Sequence, residues 1–243
     1  MVLLKKLLII IVSVSIPLTQ VYHSFADDTW QLDEDSAEMS DAEEIELGLQ
    51  IDNYMKQQFY FDCDPDICEA VNQITRRILG VSDRKTLPFT CDIIRSLSIN
   101  AFSAPGGHIY LTYGLLRFAH TEDEVAGIVG HEVAHASLRH VSKLYREVSK
   151  ILSRAENKDD FSSAFMLLNI HLDEFEYDAD TLGVLYAYKA GFDPRGLPDF
   201  LERHLSFIIE NRMFNVLGFS SALTVRARIN HLRGYIADLE KKD

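Results

Sequence analysis

The stretch His131-Glu132-Val133-Ala134-His135 lies inside a run of helical periodicity. That run opens at Thr121-Glu122-Asp123-Glu124, a capping-box sequence, and carries Val125, Ile128, Val129 and Val133 on through Tyr145 towards Leu152. Four residues advance an α-helix by about 400°, so His131 and His135 stand one turn apart on one face, where two imidazoles share a cation. Glu132, one step round, reaches a water beside that cation without being a ligand. Gly127, Gly130, Ala134 and Ala136 leave room for another backbone to come close. A lone buried histidine is ordinarily a hydrogen-bonded core residue, but two at this spacing around a glutamate point to a metal. His140, further along the same predicted helix, is expected well round from the metal-facing side.

A catalytic zinc site takes three protein ligands and keeps one position open. The third must come from another element. Asp173-Glu174-Phe175-Glu176-Tyr177-Asp178-Ala179-Asp180 runs into Leu182, Val184, Leu185 and Tyr188 at helical spacing, and Ala190-Gly191 with Pro194 beyond closes the helix. Glu176 and Asp180 share a face of it. An acidic run is usually a solvated surface, yet this one lies between the apolar segments Phe165–Ile170 and Leu182–Tyr188, so part of it points inward. Inward carboxylates need a cation or a hydrogen-bond donor.

Outward from this pair, Ser40-Asp41-Ala42-Glu43 is another capping box and predicts a helix to about Phe59. Asp64-Pro65 starts a second helix that stops at Gly80. Cys63 and Cys68 fall at N′ and N4 of it, two positions that meet, either as packed thiols or as a disulfide, leaving Cys91 unpaired. Strands are expected over Phe89–Ile94, Ser98–Phe102 and His108–Thr112, with a turn at Pro105-Gly106-Gly107. Helices close the chain over Leu197–Leu217 and Thr224–Leu239. The fold class is therefore α+β, mostly helical, with a small sheet before the histidine-bearing helix.

Composition bounds the rest. The chain has 243 residues, 47% hydrophobic and 25% charged, enough for one sizeable core. Lys plus Arg number 24 against 37 Asp plus Glu, a net charge of −13 that excludes nucleic acid as a partner. Three cysteines are too few for a disulfide scaffold or a zinc knuckle. Lys5-Lys6, the apolar stretch Leu7–Leu18 and Ser24-Phe25-Ala26 read as a cleaved signal peptide over residues 1–26. The alternative is an uncleaved anchor, but the apolar part spans about 18 Å as a helix, short of the roughly 30 Å hydrocarbon core, and no membrane span is expected in the mature chain. Residues 27–39 read as a mobile acidic arm, a solvated linker or a flap over the site, and residues 40–243 as the folded domain. A periplasmic or secreted location follows.

The histidine pair with Glu132, followed by Glu176 and Asp180, resembles the CaaX-prenyl-protease and HtpX-type family of zinc endopeptidases. Glu44-Ile45-Glu46-Leu47-Gly48, Asn100-Ala101-Phe102-Ser103-Ala104-Pro105-Gly106-Gly107 and Ala190-Gly191-Phe192-Asp193-Pro194 are similar to its periplasmic outer-membrane quality-control branch, without appended tetratricopeptide repeats. The resemblance extends from about Ser40 to Leu232. It implies a gluzincin-type fold holding one Zn2+ on His131, His135 and Glu176, with Glu132 as general base and Asp180 orienting a ligand histidine. It also implies that Asn100, Ala101 and Phe102 form a strand edge that pairs with an extended or misfolded polypeptide substrate, and that outer-membrane assembly machinery is a partner.

Many relatives carry Thr-His-Pro before an Arg-Ile pair near the C-terminus, whereas this chain reads Ser221-Ala222-Leu223 before Arg228-Ile229. Arg226 and Arg228 are then the candidates for stabilising the oxyanion. Two other readings follow from the same residues. One is an inactive zinc protein that grips extended segments as a holdase or adaptor, for which Glu132 would be superfluous. The other is a structural zinc, which ordinarily takes four protein ligands, and no fourth is evident.

Overall fold

The computed structural model describes residues 39–153, 158–211 and 222–241. The expected signal peptide, the acidic arm up to residue 38 and residues 212–217 of the helix expected over Leu197–Leu217 lie outside the described residues. In chain order the elements are α1 (Asp41–Gln58), α2 (Pro65–Val81), β1 (Thr90–Ile94), β2 (Ala101–Ala104), β3 (His108–Thr112), α3 (Tyr113–Phe118), α4 (Glu122–Ser137), α5 (His140–Ser153), α6 (Lys158–Lys189), α7 (Gly196–Glu210) and α8 (Ala222–Leu239).

Local chemistry starts the helices. Ser40 accepts from the Glu43 amide while Glu43 accepts from the Ser40 amide, which makes the capping box of α1 reciprocal. Asp64 caps α2 on the Asp66 amide with Pro65 in the first turn. Thr121 caps α4 on the Glu124 amide, but Glu124 turns its carboxylate to the His120 amide and to Arg203, so this box is only half formed. Cys63 and Cys68 are joined by a disulfide with Cα atoms 5.9 Å apart, and Cys91 is free.

The sheet has the order β1-β3-β2. β3, buried along its whole length, pairs parallel with β1 (Thr90 opposite His108, Ile94 opposite Thr112) and antiparallel with β2 (Ala101 opposite Leu111, Ala104 opposite His108). A 3-10 turn over Pro105–Gly107 joins β2 to β3, with Gly106 and Gly107 at φ of 75° and 92°, a region that side-chain-bearing residues rarely enter. Among the described residues β2 pairs with β3 alone.

α4 is the central element. It packs against α2, α6, α7 and β2, and Val125, Ala126, Ile128, Val129, Val133 and Ala134 bury its sides in the main core with Ile78, Ile109 and Leu111. A second core lies under α1, where Leu47, Ile51, Tyr54 and Met55 meet Phe102, Tyr110 and Tyr145. Leu205, Val225 and Ile229 form a third between α7 and α8.

The continuous helix expected from Glu122 towards Leu152 is in fact two. α4 ends at Ser137, Arg139 adopts a φ of 58°, and α5 begins at His140. No Gly or Pro marks this break. It is fixed from outside the segment, because the Arg139 guanidinium is held by Asp41, Glu44 and the Met39 carbonyl at the start of α1.

Candidate metal centre

Two glycines set the distance between α4 and α6. A Cβ on Gly130 would lie 2.5 Å from the Gly183 carbonyl oxygen, and one on Gly183 would lie 2.6 Å from the backbone of His131. The helices therefore touch backbone to backbone, and Glu176 and Asp180, one turn apart on α6, arrive opposite the histidines of α4.

His131 Nε2 and His135 Nε2 stand 3.0 Å apart, and Glu176 places Oε2 3.5 Å from the first and Oε1 3.3 Å from the second. These three residues form a group whose donor atoms all lie within 4.8 Å of one another. Behind His131, Asp180 Oδ1 lies 3.0 Å from Nδ1, close but poorly aligned with the N–H. A carboxylate there favours the proton on Nδ1 and leaves the Nε2 lone pair facing the cluster. Two imidazole nitrogens and one carboxylate converging on a point is a donor set that suits zinc.

The charges agree. Arg228 of α8 donates Nε and Nη2 to the two oxygens of Asp180, both at 2.7 Å, and its Nη1 lies 2.6 Å from Glu176 Oε2. One guanidinium against two carboxylates leaves one negative charge for a cation. Burial opposes ionisation of Glu176, yet Arg228 and the two imidazoles overcome it and hold the carboxyl well below the usual carboxylate range. Asp180 is lowered against the same burial cost, chiefly by Arg228. Burial also disfavours a charged His131, but Asp180 and Glu176 outweigh it and raise the imidazole to about 10.

Glu132 is buried, and burial pushes its carboxyl up, tempered first by the neighbouring imidazoles and further by a hydrogen bond with the Ser103 side chain on β2. A carboxyl raised in this way suits both taking and giving a proton. The Ser103 contact also puts β2 beside Glu132. Asn100 precedes that strand and Ala101 and Phe102 begin it, with Phe102 stacked on Tyr110 at 5.0 Å.

The structure thus brings His131, Glu132, His135, Glu176, Asp180 and Arg228 together. Arg226 lies elsewhere, exposed and paired with Glu202 at 3.0 Å. Arg228 is spent on Asp180 and Glu176. Ser103 was not singled out in the sequence, although it lies within the Asn100–Gly107 motif. A continuous helix would carry His140 well round from the metal face. The break at Arg139 instead brings His140 Nδ1 to 3.1 Å from His135 Nδ1 and stacks its ring on Phe175, centroids 4.2 Å apart. Burial first, and His135 next, push His140 down to about 3, so its ring is neutral. Other histidines lie apart from the centre: His108 contacts Thr90, His231 contacts Thr181, and His204 lies against Phe118.

Comparison with known proteins adds independent findings. Residues 68–236 match the profile of Peptidase family M48. The chain is 24% identical over 226 residues to the beta-barrel assembly-enhancing protease of Escherichia coli (strain K12), a match covering 83% of this chain and 46% of that protein. It is 30% identical over 183 residues to the mitochondrial metalloendopeptidase OMA1 of Schizosaccharomyces pombe, covering 71% of this chain and 54% of that one. The Arabidopsis thaliana protein of the same name is 31% identical over 119 residues, covering 46% and 24%. The chain spans about half the length of the first two relatives. Among the described residues no helix is long and apolar enough to cross a membrane.

Proposed function

The chain belongs to peptidase family M48, and from that premise we propose that it is a zinc-dependent endopeptidase cleaving unfolded or misfolded polypeptides of the cell envelope. The observation that carries this reading is the convergence of His131 Nε2, His135 Nε2 and Glu176 beside a buried Glu132.

His131, His135 and Glu176 would hold the zinc, which when bound would polarise a carbonyl and lower the pKa of a water. The chain's own groups do the rest. Glu132 takes a proton from the attacking water and passes it to the departing amine, two tasks that its raised pKa suits. Arg228 keeps Glu176 and Asp180 ionised, and Asp180 keeps the Nε2 lone pair of His131 turned towards the metal. The edge of β2 away from β3 is where a substrate would add as a strand, and Ser103, beside Glu132, would bring its backbone past the general base. An added strand must be extended, which selects unfolded chains over compact ones.

A role in β-barrel assembly is supported by the name of the Escherichia coli relative, a beta-barrel assembly-enhancing protease. The Cys63–Cys68 disulfide suits an oxidising compartment.

The test is zinc content together with casein cleavage, for the chain and for Glu132→Gln. We expect one equivalent of zinc in both and a loss of cleavage by at least about 1,000-fold in the variant. Equal cleavage by both would remove Glu132 from the reaction. Bound zinc without cleavage by either would favour a holdase or adaptor.

A further inference from the structure

His135 directs Nε2 at the donor cluster, 3.0 Å from His131 Nε2 and 3.3 Å from Glu176 Oε1. A neutral imidazole carries one proton, so for Nε2 to offer a lone pair the proton must sit on Nδ1, and a buried N–H there needs an acceptor. Behind His131 that acceptor is Asp180. Behind His135 the described residues place a different group. What lies there is Nδ1 of His140, at 3.1 Å.

His140 is itself fixed. It is buried, its ring is nearly parallel to Phe175 (9° between planes, 4.2 Å between centroids), and Phe175 immediately precedes Glu176. The ring thus wedges between the segments that deliver the second and third members of the donor group. Its position depends on the left-handed turn at Arg139, which Asp41, Glu44 and the Met39 carbonyl hold from the start of α1. His140 touches the nitrogen of His135 that faces away from the cluster, and it is not among the converging donors.

We propose that His140 is a positioning residue: its Nδ1 accepts the Nδ1–H of His135 and so holds that imidazole in the tautomer and orientation that present Nε2 to the metal. The two histidines of the centre are then supported from behind by different chemistry, a carboxylate for His131 and a neutral imidazole for His135. The imidazole adds no negative charge to a cluster that already contains Glu176 and Asp180. Ligand-supporting groups of this kind ordinarily change metal affinity by about 10- to 100-fold. This inference rests on the metal reading of the site.

Two substitutions separate the acceptor from the ring. His140→Phe keeps an aromatic ring against Phe175 and removes the acceptor, whereas His140→Asn places an amide oxygen near the position of Nδ1 and gives up the stack. Zinc affinity is measured by chelator competition on the chain and both variants, with the circular dichroism of each as a check on folding. We expect His140→Phe to bind about 10- to 100-fold more weakly and His140→Asn to stay within about threefold of the unmodified chain. On the 15N-labelled, zinc-loaded unmodified chain, His135 should be protonated at Nδ1 with a scalar coupling across the hydrogen bond to His140 Nδ1. That spectrum decides the matter if His140→Phe fails to fold. Unchanged affinity in His140→Phe, equal losses in both variants, or a His135 protonated at Nε2 would overturn the role of His140 and leave the metal reading standing. Failure of the unmodified chain to bind zinc would overturn both.

Discussion

Arg228 shows how much of the centre depends on one side chain. It is buried, and its three contacts serve two carboxylates that would otherwise face each other and the protein interior. Removing one partner of a buried ion pair costs about 3–5 kcal/mol, because the remaining charge has neither water nor counter-ion. Arg228→Met is therefore expected to lose about that much stability without metal. Added zinc should raise the melting temperature of the variant by more than that of the unmodified chain, since the ion then supplies the missing positive charge; an equal rise would contradict this charge balance. His204 offers a separate test. Burial among the Phe118 and Phe200 rings pushes it from 6.5 down to about 4. The unfolded chain binds the proton first, so stability present above pH 6.5 is lost as pH falls towards 4, on the order of 2 kcal/mol for a partly exposed ring. His204→Phe should lose less stability than the unmodified chain between pH 7.5 and pH 4.5. Denaturant midpoints that fall in parallel would show that His204 is not the titrating group. In the sequence Arg228 reads as a candidate for stabilising the oxyanion, since nothing in its neighbourhood says that it points at Asp180.

Between elements, the decisive contact is that of α4 with α6. Gly183→Ala would set a Cβ against the His131 backbone, where neither helix has a flexible side chain to yield. We expect a loss of about 2–3 kcal/mol and a fall in zinc affinity of at least about tenfold as Glu176 is carried away from the histidines. Gly234, inside α8, meets nothing within 4 Å, so Gly234→Ala should stabilise the chain by up to about 1 kcal/mol. Thermal melts and zinc titrations of the two variants check both statements, and equal effects would mean that helix propensity rather than packing governs. The contrast also explains what could be read in advance. Ser40, Asp64 and Thr121 announce the starts of α1, α2 and α4 through local hydrogen bonds, and the positions of Cys63 and Cys68 at the start of α2 make them neighbours, whether as thiols or as a disulfide. The turn at Arg139 has no such local mark, because its holding groups belong to α1, far away in sequence. His140 was misplaced for that reason alone, whereas His131, His135, Glu176 and Asp180 each lie in a helix whose phase the sequence already sets.

Across the molecule, the centre ties α4 to α6 and, through Arg228, to α8, while Ser103 connects it to the sheet. An ion that binds the folded chain alone stabilises all of these together. At a thousandfold excess of zinc over its Kd the gain is about 4 kcal/mol, which for a domain of this size corresponds to roughly 8–16 °C in Tm. Chelation should lower the melting temperature by that amount in a single cooperative transition, and a melt insensitive to chelator would argue against a resident metal. The cysteines have a practical bearing. Cys63 and Cys68 are committed to each other, and burial pushes the Cys91 thiol up to about 12, so at neutral pH almost none of it is thiolate. To a maleimide at neutral pH the folded chain offers one half-buried, protonated thiol and so reacts slowly. A single Leu97→Cys substitution, at an exposed position on the approach to β2, would take a nitroxide or a fluorophore faster than the native thiol does, and distance spectroscopy could then test whether a labelled polypeptide settles along the strand.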